Sequence, residues 1–319
     1  MPSFSTLLTL SLYVMAAGLA LCTLLGFLGR QWWRFELLSH FRLQYAVLAA
    51  LCAMGLLLLG ETAAFFLTMG VALFNTALIA PFYRRPDPSD PPSATYRILS
   101  ANILGHNRQY AQISQMLQEA NPDLALLVEY DPHHHQNLQD VTQTFPHTHF
   151  LPRNDNYGLA LLSRLPLDSC EFVFLNDERK PALLAKLTLD GRPLTVIGVH
   201  TTPPKSAEMT RMRDRQMGAL AQLAAKQDGE VILLGDFNAT SWSYSFSDLL
   251  QHSQLLDSRR GFGVQPTWPA ELPPMRIPID HLLHTHGVRI LKRRTGPFSG
   301  SDHRPLIVDF SLDAAGQSS

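Results

Sequence analysis

Long apolar runs fill the first 85 residues of the chain, and a regular mixture of apolar and polar positions begins only after them. Residues 7–28 carry no charge over about 22 positions, which is long enough for a helix that crosses a bilayer. A second apolar stretch runs from 41 to 81 and is interrupted midway by Gly60-Glu61. That stretch is too long for one span. We therefore predict a transmembrane anchor over residues 1–85, with three spans at about 7–28, 43–60 and 62–81.

The arginines that flank these runs bear on the orientation of the anchor. With three spans, Arg30, Arg34 and Arg42 lie on the same side as Arg84-Arg85, and the positive-inside bias makes that side cytoplasmic. If Glu61 lies inside the bilayer instead, the last stretch is one long span and the rest of the chain changes sides relative to that loop. The chain is thus predicted to be a multi-pass protein of the cell (inner) membrane.

The remainder of the chain has the pattern of a separate domain. Residues 86–93 are proline-rich, and proline cannot continue a helix, so we expect a linker that holds the domain clear of the membrane surface. Helical spacing occurs at 109–120 and 206–226. The strand candidates are residues 96–102, 124–128, 159–163, 172–175, 182–189, 194–199, 231–234, 279–283, 288–291 and 306–310. Several of these strands follow one another without room for a helix, which predicts mixed sheets covered by helices over 94–312, with a tail at 313–319.

Charge separates the two parts of the chain. The first 85 residues hold five Arg and two Glu, whereas the rest holds 21 basic and 25 acidic residues. Non-specific binding to nucleic acid usually needs a basic face, so the acidic balance of the second part argues against it. A local basic rim, for example at Lys292-Arg293-Arg294, stays open. The three cysteines indicate neither a disulfide framework nor a thiolate metal site.

Polar side chains follow the predicted strands at the points where those strands end. A single acidic residue in such a place is usually a turn or a helix cap, but here the positions recur along the chain. Strand ends are where a sheet gathers groups from distant parts of the sequence into one cleft. The residues concerned are Asn102, Glu129, His200, Asp236, Asp302 and His303.

The segment Gly235-Asp236-Phe237-Asn238-Ala239 carries the sharpest local signal. Strand geometry places Asp236 and Asn238 on one side, where a carboxylate can orient or deprotonate water and an amide can hold a phosphoryl oxygen. An Asx turn explains the same residues structurally. Asp280 lies within the strand candidate at 279–283, and it is either the partner that fixes the tautomer of His303 or an acid satisfied by a salt bridge or other polar contact in the strand.

Two other features concern metals. Glu129 with Asn102 beside it offers oxygen ligands of the kind that Mg²⁺ or Mn²⁺ prefers. The run His133-His134-His135 shows no strand or helix register, and three adjacent side chains cannot converge on one ion. We predict that this run is an exposed loop.

Taken in order, these segments resemble the endonuclease/exonuclease/phosphatase superfamily, which includes DNase I-like nucleases, sphingomyelinases and inositol-polyphosphate phosphatases. The matching motifs are Ser100-Ala101-Asn102, Leu127-Val128-Glu129, Tyr157-Gly158-Leu159-Ala160-Leu161-Leu162-Ser163-Arg164, Val199-His200, Gly235-Asp236-Phe237-Asn238-Ala239, Thr267-Trp268-Pro269, Ile279-Asp280-His281 and Ser301-Asp302-His303-Arg304-Pro305-Leu306. The resemblance implies an α/β fold, a four-layer αββα sandwich, preceded here by about three transmembrane helices.

The resemblance also implies roles for the candidate residues. Glu129 would be the main ligand of Mg²⁺ (or Mn²⁺), helped by Asn102 and Asp302. Asp236 would position or deprotonate the attacking water. Asn238 and His200 would contact the phosphate. His303, paired with Asp280, would stabilise the developing charge or assist the leaving group.

These inferences predict a membrane-anchored, divalent-metal-dependent phosphoesterase that hydrolyses a phosphomonoester, pyrophosphate or phosphodiester, with a lipid-linked substrate favoured by the anchor. A membrane-bound nuclease acting on nucleic acid is the alternative, and a catalytically silent binding module is a third. Some bacterial members of this superfamily carry about three N-terminal spans, including proteins that resemble the teicoplanin-resistance membrane phosphatases, and those are expected to act on lipid-linked phosphates outside the cytoplasm. That implication conflicts with the positive-inside rule, so the side of the membrane stays open.

Overall fold

The computed structural model describes residues 3–84, 94–175 and 179–312. The predicted linker at 86–93 and tail at 313–319 lie outside the described residues.

Four helices make up the N-terminal part: α1 (Phe4–Leu25), α2 (Trp33–Ser39), α3 (Arg42–Leu58) and α4 (Thr62–Ile79). The turn between α3 and α4 contains Gly60 at φ +82°, a conformation that glycine adopts without the clash of a β-carbon. Within the described part of the chain, two segments, Phe4–Leu28 and Thr62–Tyr83, are long and apolar enough to cross a membrane. The helices α2 and α3 are bent by 66° relative to each other and make a third span only if counted together. The prediction of three spans is therefore approximate.

Polar side chains tie these helices together on their inner faces. Arg42 at the start of α3 donates from Nη1 to the backbone oxygen of Thr23 at 2.8 Å. Asn75 of α4 donates from Nδ2 to the hydroxyl of Thr23 at 2.9 Å. All three residues are buried. The outward faces, by contrast, expose large apolar side chains such as Leu58 and Leu67, at 81% and 76% of their surface.

Twelve strands of the described residues form two six-stranded mixed sheets. The first sheet contains β1 (Tyr96–Asn102), β2 (Leu124–Val128), β3 (His147–Leu151), β4 (Leu159–Ser163), β11 (Val288–Thr295) and β12 (Leu306–Leu312), and the second contains β5 (Ser169–Leu175), β6 (Lys180–Leu189), β7 (Arg192–His200), β8 (Glu230–Asp236), β9 (Leu256–Asp257) and β10 (Asp280–His284). Their orders are β11-β12-β1-β2-β4-β3 and β5-β6-β7-β8-β10-β9. Each sheet has one parallel pair at its centre, β1 with β2 and β7 with β8.

Helices cover the outer face of each sheet. The first sheet packs against α5 (Tyr110–Ala120), α6 (Pro132–Asn137) and α7 (Gln139–Thr142), and the second packs against α8 (Ala207–Ala225) and α9 (Tyr244–Ser253). The two inner faces meet in a core of alternate strand residues, for example Leu126, Val196 and Leu234. Alternation along a strand sends one set of side chains inward and the other toward the helices. The prediction of a four-layer αββα sandwich is confirmed.

The triple histidine lies in helix α6, so the prediction of an exposed loop is wrong. Asp131 caps this helix by accepting a hydrogen bond from the backbone N–H of His134 at 2.7 Å. A capping aspartate satisfies a backbone donor that the first helical turn leaves free. His134 is fully buried against the rings of Tyr110 and Tyr130, which gives this histidine a packing role.

The N-terminal helices dock directly on the sandwich. Glu36 of α2 accepts a hydrogen bond from Arg213 of α8 at 2.5 Å, and both side chains are fully buried. His40, just after α2, has Nδ1 at 3.0 Å from the hydroxyl of Thr240. These contacts join the anchor helices directly to the sandwich. The clearance of the domain from the membrane surface stays a prediction. Further hydrogen bonds join Gln44 to Arg276, Trp242 to Leu78 and Gly263 to Phe82.

Candidate active site

The two central parallel strand pairs deliver the first four candidate residues to one place. In the first sheet Asn102 ends β1 opposite Val128, and Glu129 follows directly. In the second sheet His200 ends β7 directly opposite Asp236, which ends β8. Parallel strands that end together present their final side chains at the same edge of the sheet. All four residues are buried, so their charges and dipoles act on one another in a low-dielectric setting.

Asn102 connects the two sheets at this edge. Its Nδ2 donates to Glu129 Oε1 at 3.0 Å and to Asp236 Oδ2 at 3.1 Å. Its Oδ1 accepts from the backbone N–H of Leu104 at 3.0 Å, which fixes the orientation of the amide. The amide nitrogen therefore faces both carboxylates and reduces the repulsion between them.

Glu129 has an unusual backbone conformation, and a hydrogen bond fixes its side chain. Its backbone lies in the left-handed region at φ +60°, an unusual conformation for a residue other than glycine that is often found at functional sites. Its Oε2 accepts from the backbone N–H of Gly105 at 2.9 Å. A β-carbon on Gly105 would lie 2.7 Å from Oδ1 of Asn156 and 3.5 Å from Oε2 of Glu129, so the side chain of Asn156 would have to shift to accommodate it.

His303 and Asp280 form a buried pair beside Asp236. Nδ1 of His303 donates to Asp280 Oδ2 at 2.9 Å, so Nε2 is turned toward Asp236 Oδ2 at 3.6 Å. The hydroxyl of Ser301 accepts from the backbone N–H of His303 at 3.1 Å. The partner that was left open for Asp280 is thus His303, and this contact fixes the tautomer of the imidazole.

Burial and neighbouring charges shift the proton affinities of this group. Burial by itself lowers the pKa of His303, but the carboxylates of Asp280 and Asp236 raise it to about 10. Burial raises the pKa of Asp236 to about 6, although the positive charge of His303 opposes this shift. At neutral pH the imidazole of His303 is therefore protonated and positively charged. Asp236 is ionised, but it has a higher affinity for a proton than an exposed aspartate. Such paired shifts are typical of acid–base sites.

His200 and Asn238 complete the wall near Asp236. Nδ1 of His200 donates to the backbone oxygen of Asn156 at 2.8 Å, which places Nε2 at 3.5 Å from Asp236 Oδ2. The backbone N–H of Asn238 donates to Asp236 Oδ1 at 2.9 Å, so the Asx turn considered for this segment is present. Nδ2 of Asn238 donates to the backbone oxygen of Thr201 at 2.9 Å. The turn and the catalytic role are compatible, because the turn fixes Asp236.

Asp302 borders the same pocket from a different loop. Its Oδ2 accepts from Nε1 of Trp268 at 3.0 Å, while its Oδ1 is buried and has no hydrogen-bond partner among the described residues. A buried carboxylate oxygen without a partner is costly, and a cation would compensate it. The donor set of Asp302 and Glu129 consists of carboxylate oxygens, which fits Mg²⁺ or Mn²⁺. Asn102, the third predicted ligand, presents its nitrogen rather than its oxygen.

A second group of metal-type side chains overlaps this one. Asp236, Asp280 and His303 offer potential ligand atoms within 4.8 Å of one another. Because Nδ1 of His303 is already bonded to Asp280, and because Mg²⁺ prefers oxygen ligands to imidazole, this group is better suited to holding protons than to binding a hard cation.

The candidate residues surround a pocket of about 530 Å³. Glu129, His200, Asp236, Asn238, Asp302 and His303 line it directly, whereas Asn102 and Asp280 support residues that do. Sequence analysis missed part of the lining. The missed residues are Leu37 of α2, His40 and Phe41 between α2 and α3, and Asp155, Asn156, Pro203, Pro204, Lys205, Met209 and Ile277. None of these carries a local pattern that distinguishes it from ordinary surface or core.

Comparison with known proteins decides the family. Residues 99–303 match the sequence profile of the Endonuclease/Exonuclease/phosphatase family. The chain belongs to this family. Its members are metal-dependent hydrolases that act on phosphate ester bonds, and the predicted resemblance is confirmed. The matched region contains all eight candidate site residues.

Relatives and solved structures agree with the family. A UPF0294 protein of Yersinia enterocolitica is 26% identical over 242 residues, covering 69% of this chain and 85% of the relative. A UPF0294 protein of Yersinia pseudotuberculosis is 28% identical over 179 residues, covering 50% of this chain and 60% of the relative. This match spans less than two thirds of that relative.

Among solved structures, an endonuclease/exonuclease/phosphatase from Beutenbergia cavernae superimposes with a TM-score of 0.56 at 18% identity, covering 69% of this chain and 72% of the other. TDP2 of D. rerio, complexed with a single-strand DNA product, gives 0.59 at 17% identity over 69% of this chain and 100% of the other. The human Nocturnin catalytic domain with a bound sulfate anion gives 0.56 at 17% identity over 68% and 94%. At these identities the likeness supports the fold alone.

Proposed function

We propose that this chain is a membrane-anchored, divalent-metal-dependent phosphoesterase whose substrate is a lipid-linked phosphate ester. One observation carries the catalytic part of the proposal. The amide of Asn102 bridges Glu129 and Asp236 at 3.0 and 3.1 Å, beside the buried pair of His303 and Asp280. A cation ligand, a base and a charged imidazole thus border one pocket.

Glu129 and Asp302 would hold Mg²⁺ or Mn²⁺, with Asn102 orienting Glu129. A bound divalent cation supplies Lewis-acid stabilisation to a phosphoryl oxygen and neutralises part of its charge. The buried, unpartnered Oδ1 of Asp302 and the absence of thiolates from the pocket lining suit a hard cation. We infer that Mg²⁺ is the ordinary ion and that Mn²⁺ can replace it.

The protein side chains supply the base, the stabilisation of charge and the contacts to the phosphate. Asp236, with a pKa of about 6, accepts a proton from the attacking water as the water approaches phosphorus. The protonated His303 donates hydrogen bonds that stabilise the negative charge developing on the phosphoryl group, and Asp280 holds its ring in place. His200 and Asn238 contact the phosphate from the second sheet. Their own hydrogen bonds to Asn156 and Thr201 fix their positions in advance.

The membrane part of the proposal depends on the N-terminal helices. Two of them are apolar enough to span a bilayer, and their outward faces expose large apolar side chains, including Phe4 at 83%. An apolar surface of this extent marks a membrane or protein contact. We infer a multi-pass protein of the cell membrane, and we leave the side of the membrane open.

A screen of the full-length chain in detergent tests this proposal. We expect Mg²⁺-dependent phosphate release from phosphomonoesters, pyrophosphates or diesters with an apolar group, and little cleavage of DNA. Fast nicking of DNA with no hydrolysis of any lipid ester would contradict it and would establish the nuclease alternative. That alternative draws on the DNA-bound TDP2 structure, but the acidic balance of residues 86–319 weighs against it. A catalytically silent binding module would hydrolyse nothing.

A further inference from the structure

We propose that the corner between α2 and α3, centred on Leu37 and Phe41, is an apolar subsite of the active site that receives the hydrocarbon group attached to the substrate phosphate. The inference rests on the proposed phosphoesterase function and deepens it. The N-terminal helices would then be part of the substrate site as well as an anchor.

The pocket lining combines two chemically different sets of side chains. Glu129, Asp236 and His303 supply charge, whereas Leu37 and Phe41 are apolar. Met209, Ile277 and Ile279 add further apolar surface to the same lining. A ligand that contacts both sets has a phosphate joined to an apolar group. Leu37 and Phe41 offer no side-chain hydrogen-bond partner to the polar sugar and base of a nucleotide.

The apolar corner is fixed relative to the catalytic residues. Glu36, the residue before Leu37, is locked to Arg213 by a fully buried ion pair and accepts a further hydrogen bond from Ser245 at 2.7 Å. His40, the residue before Phe41, has Nδ1 at 3.0 Å from the hydroxyl of Thr240. Leu37 and Phe41 are therefore carried by backbone that is tied to the sandwich on both sides.

The corner also leads into the helical layer. Phe41 lies against Tyr45 with ring centroids 6.4 Å apart, and it packs on the buried cluster of Leu19, Ala49 and Ala72 from α1, α3 and α4. The end of α1, the start of α3 and the end of α4 all lie at the side of the layer that contacts the sandwich. The pocket therefore adjoins the end of the helices that would lie at the membrane surface. This continuity identifies the hydrocarbon part of a lipid as the occupant.

The test uses a series of substrates that differ only in alkyl chain length. Methyl, butyl, octyl and dodecyl p-nitrophenyl phosphates serve for diesterase activity, and the corresponding alkyl phosphates serve for monoesterase activity. The full-length chain is assayed in one detergent with Mg²⁺. We expect kcat/KM to rise with chain length, chiefly through KM. Leu37→Asn and Phe41→Asn should reduce the ratio of kcat/KM for the dodecyl ester to kcat/KM for the methyl ester by about 10-fold or more.

Leu38→Asn is the matched control. Leu38 is half-buried on the same helix but does not line the pocket, so this variant should keep the chain-length dependence of the unsubstituted protein. Phe41→Leu keeps an apolar side chain at this position, so this variant should retain most of the chain-length dependence that Phe41→Asn loses. Equal rates for all chain lengths, or an equal loss from Leu37→Asn and Leu38→Asn, would overturn the subsite and leave the phosphoesterase in place. No metal-dependent hydrolysis of any ester, methyl included, would refute the phosphoesterase itself.

Discussion

Replacing Glu36 with alanine tests whether the N-terminal helices and the sandwich fold as one unit. Glu36 and Arg213 are both fully buried and lie 2.5 Å apart across the interface. The substitution leaves the guanidinium of Arg213 buried with one remaining anionic partner, Asp214, whose carboxylate is 2.7 Å away and 27% exposed. The hydroxyl of Ser245 also loses its hydrogen bond to Glu36.

The expected cost follows from burial. Removing one member of a buried ion pair typically costs about 3 to 5 kcal/mol, because the other charge stays out of water without compensation. Asp214 still offsets part of that charge, so we expect the lower end, about 3 kcal/mol. For a domain of this size, that corresponds to a fall in Tm of about 6 °C or more.

Thermal unfolding of the full-length chain in detergent measures the effect, with limited proteolysis as a second readout. Glu119→Ala is the control, since Glu119 lies exposed on α5 and contacts only Gln115 among the described side chains. We expect that variant to change stability by less than about 0.5 kcal/mol. Equal Tm values for Glu36→Ala and Glu119→Ala would refute the idea that the ion pair joins the two parts.

Three further substitutions probe the site and its support. Asp280→Asn removes the charge that supports protonated His303, so kcat should fall by about 100-fold, and Tm should fall as well because the buried imidazolium loses its main anionic partner, as steady-state kinetics and unfolding scans would show. Asn102→Ala removes the amide that bridges two carboxylates, and the Mg²⁺ concentration for half-maximal activity should rise by about 10-fold in a metal titration. Gly235→Ala adds a β-carbon that would lie 1.9 Å from the backbone oxygen of Val199, at φ +141°, so unfolding scans should show a loss of about 2 kcal/mol or more.

The site residues that lie at the ends of strands could be predicted from the sequence. Asn102, His200 and Asp236 each follow a run of apolar residues with strand character, and the fold places those runs in the two central parallel pairs. The local pattern thus reported which side chains stand at the edge of a sheet. It could not report that the amide of Asn102 spans both sheets, because that contact joins residues 134 positions apart.

The elements that were missed have weak local patterns. Strand β3 has the sequence His-Thr-His-Phe-Leu over residues 147–151, which lacks a clear apolar alternation, and its pairing with β4 sustains it. Helix α9 was not predicted either. Its start is set by Ser243, whose hydroxyl accepts from the backbone N–H of Phe246. Both elements depend on capping or pairing that periodicity does not report.

The docking of the helices on the sandwich could not be predicted from the sequence, and the reason is physical. Glu36 stands next to Trp33 and Arg34, where an acid is expected to be solvated near a membrane surface. Its partner Arg213 lies 177 residues away in the middle of α8. A pair of buried opposite charges far apart in sequence leaves no periodic signal. The contact between Glu36 and Arg213, and the position of the apolar corner beside it, therefore had to be read from the structure.

Metal-dependent hydrolysis by the full-length chain tests the catalytic site most directly. A phosphate ester is offered to the unsubstituted protein, Glu129→Gln and Asp236→Asn, first with a chelator and then across a titration of Mg²⁺. We predict activity that vanishes with the chelator and returns with Mg²⁺, a higher Mg²⁺ requirement for Glu129→Gln, and a loss of at least about 100-fold for Asp236→Asn. Hydrolysis that survives the chelator, or an Asp236→Asn protein as active as the unsubstituted chain, would contradict the proposed site.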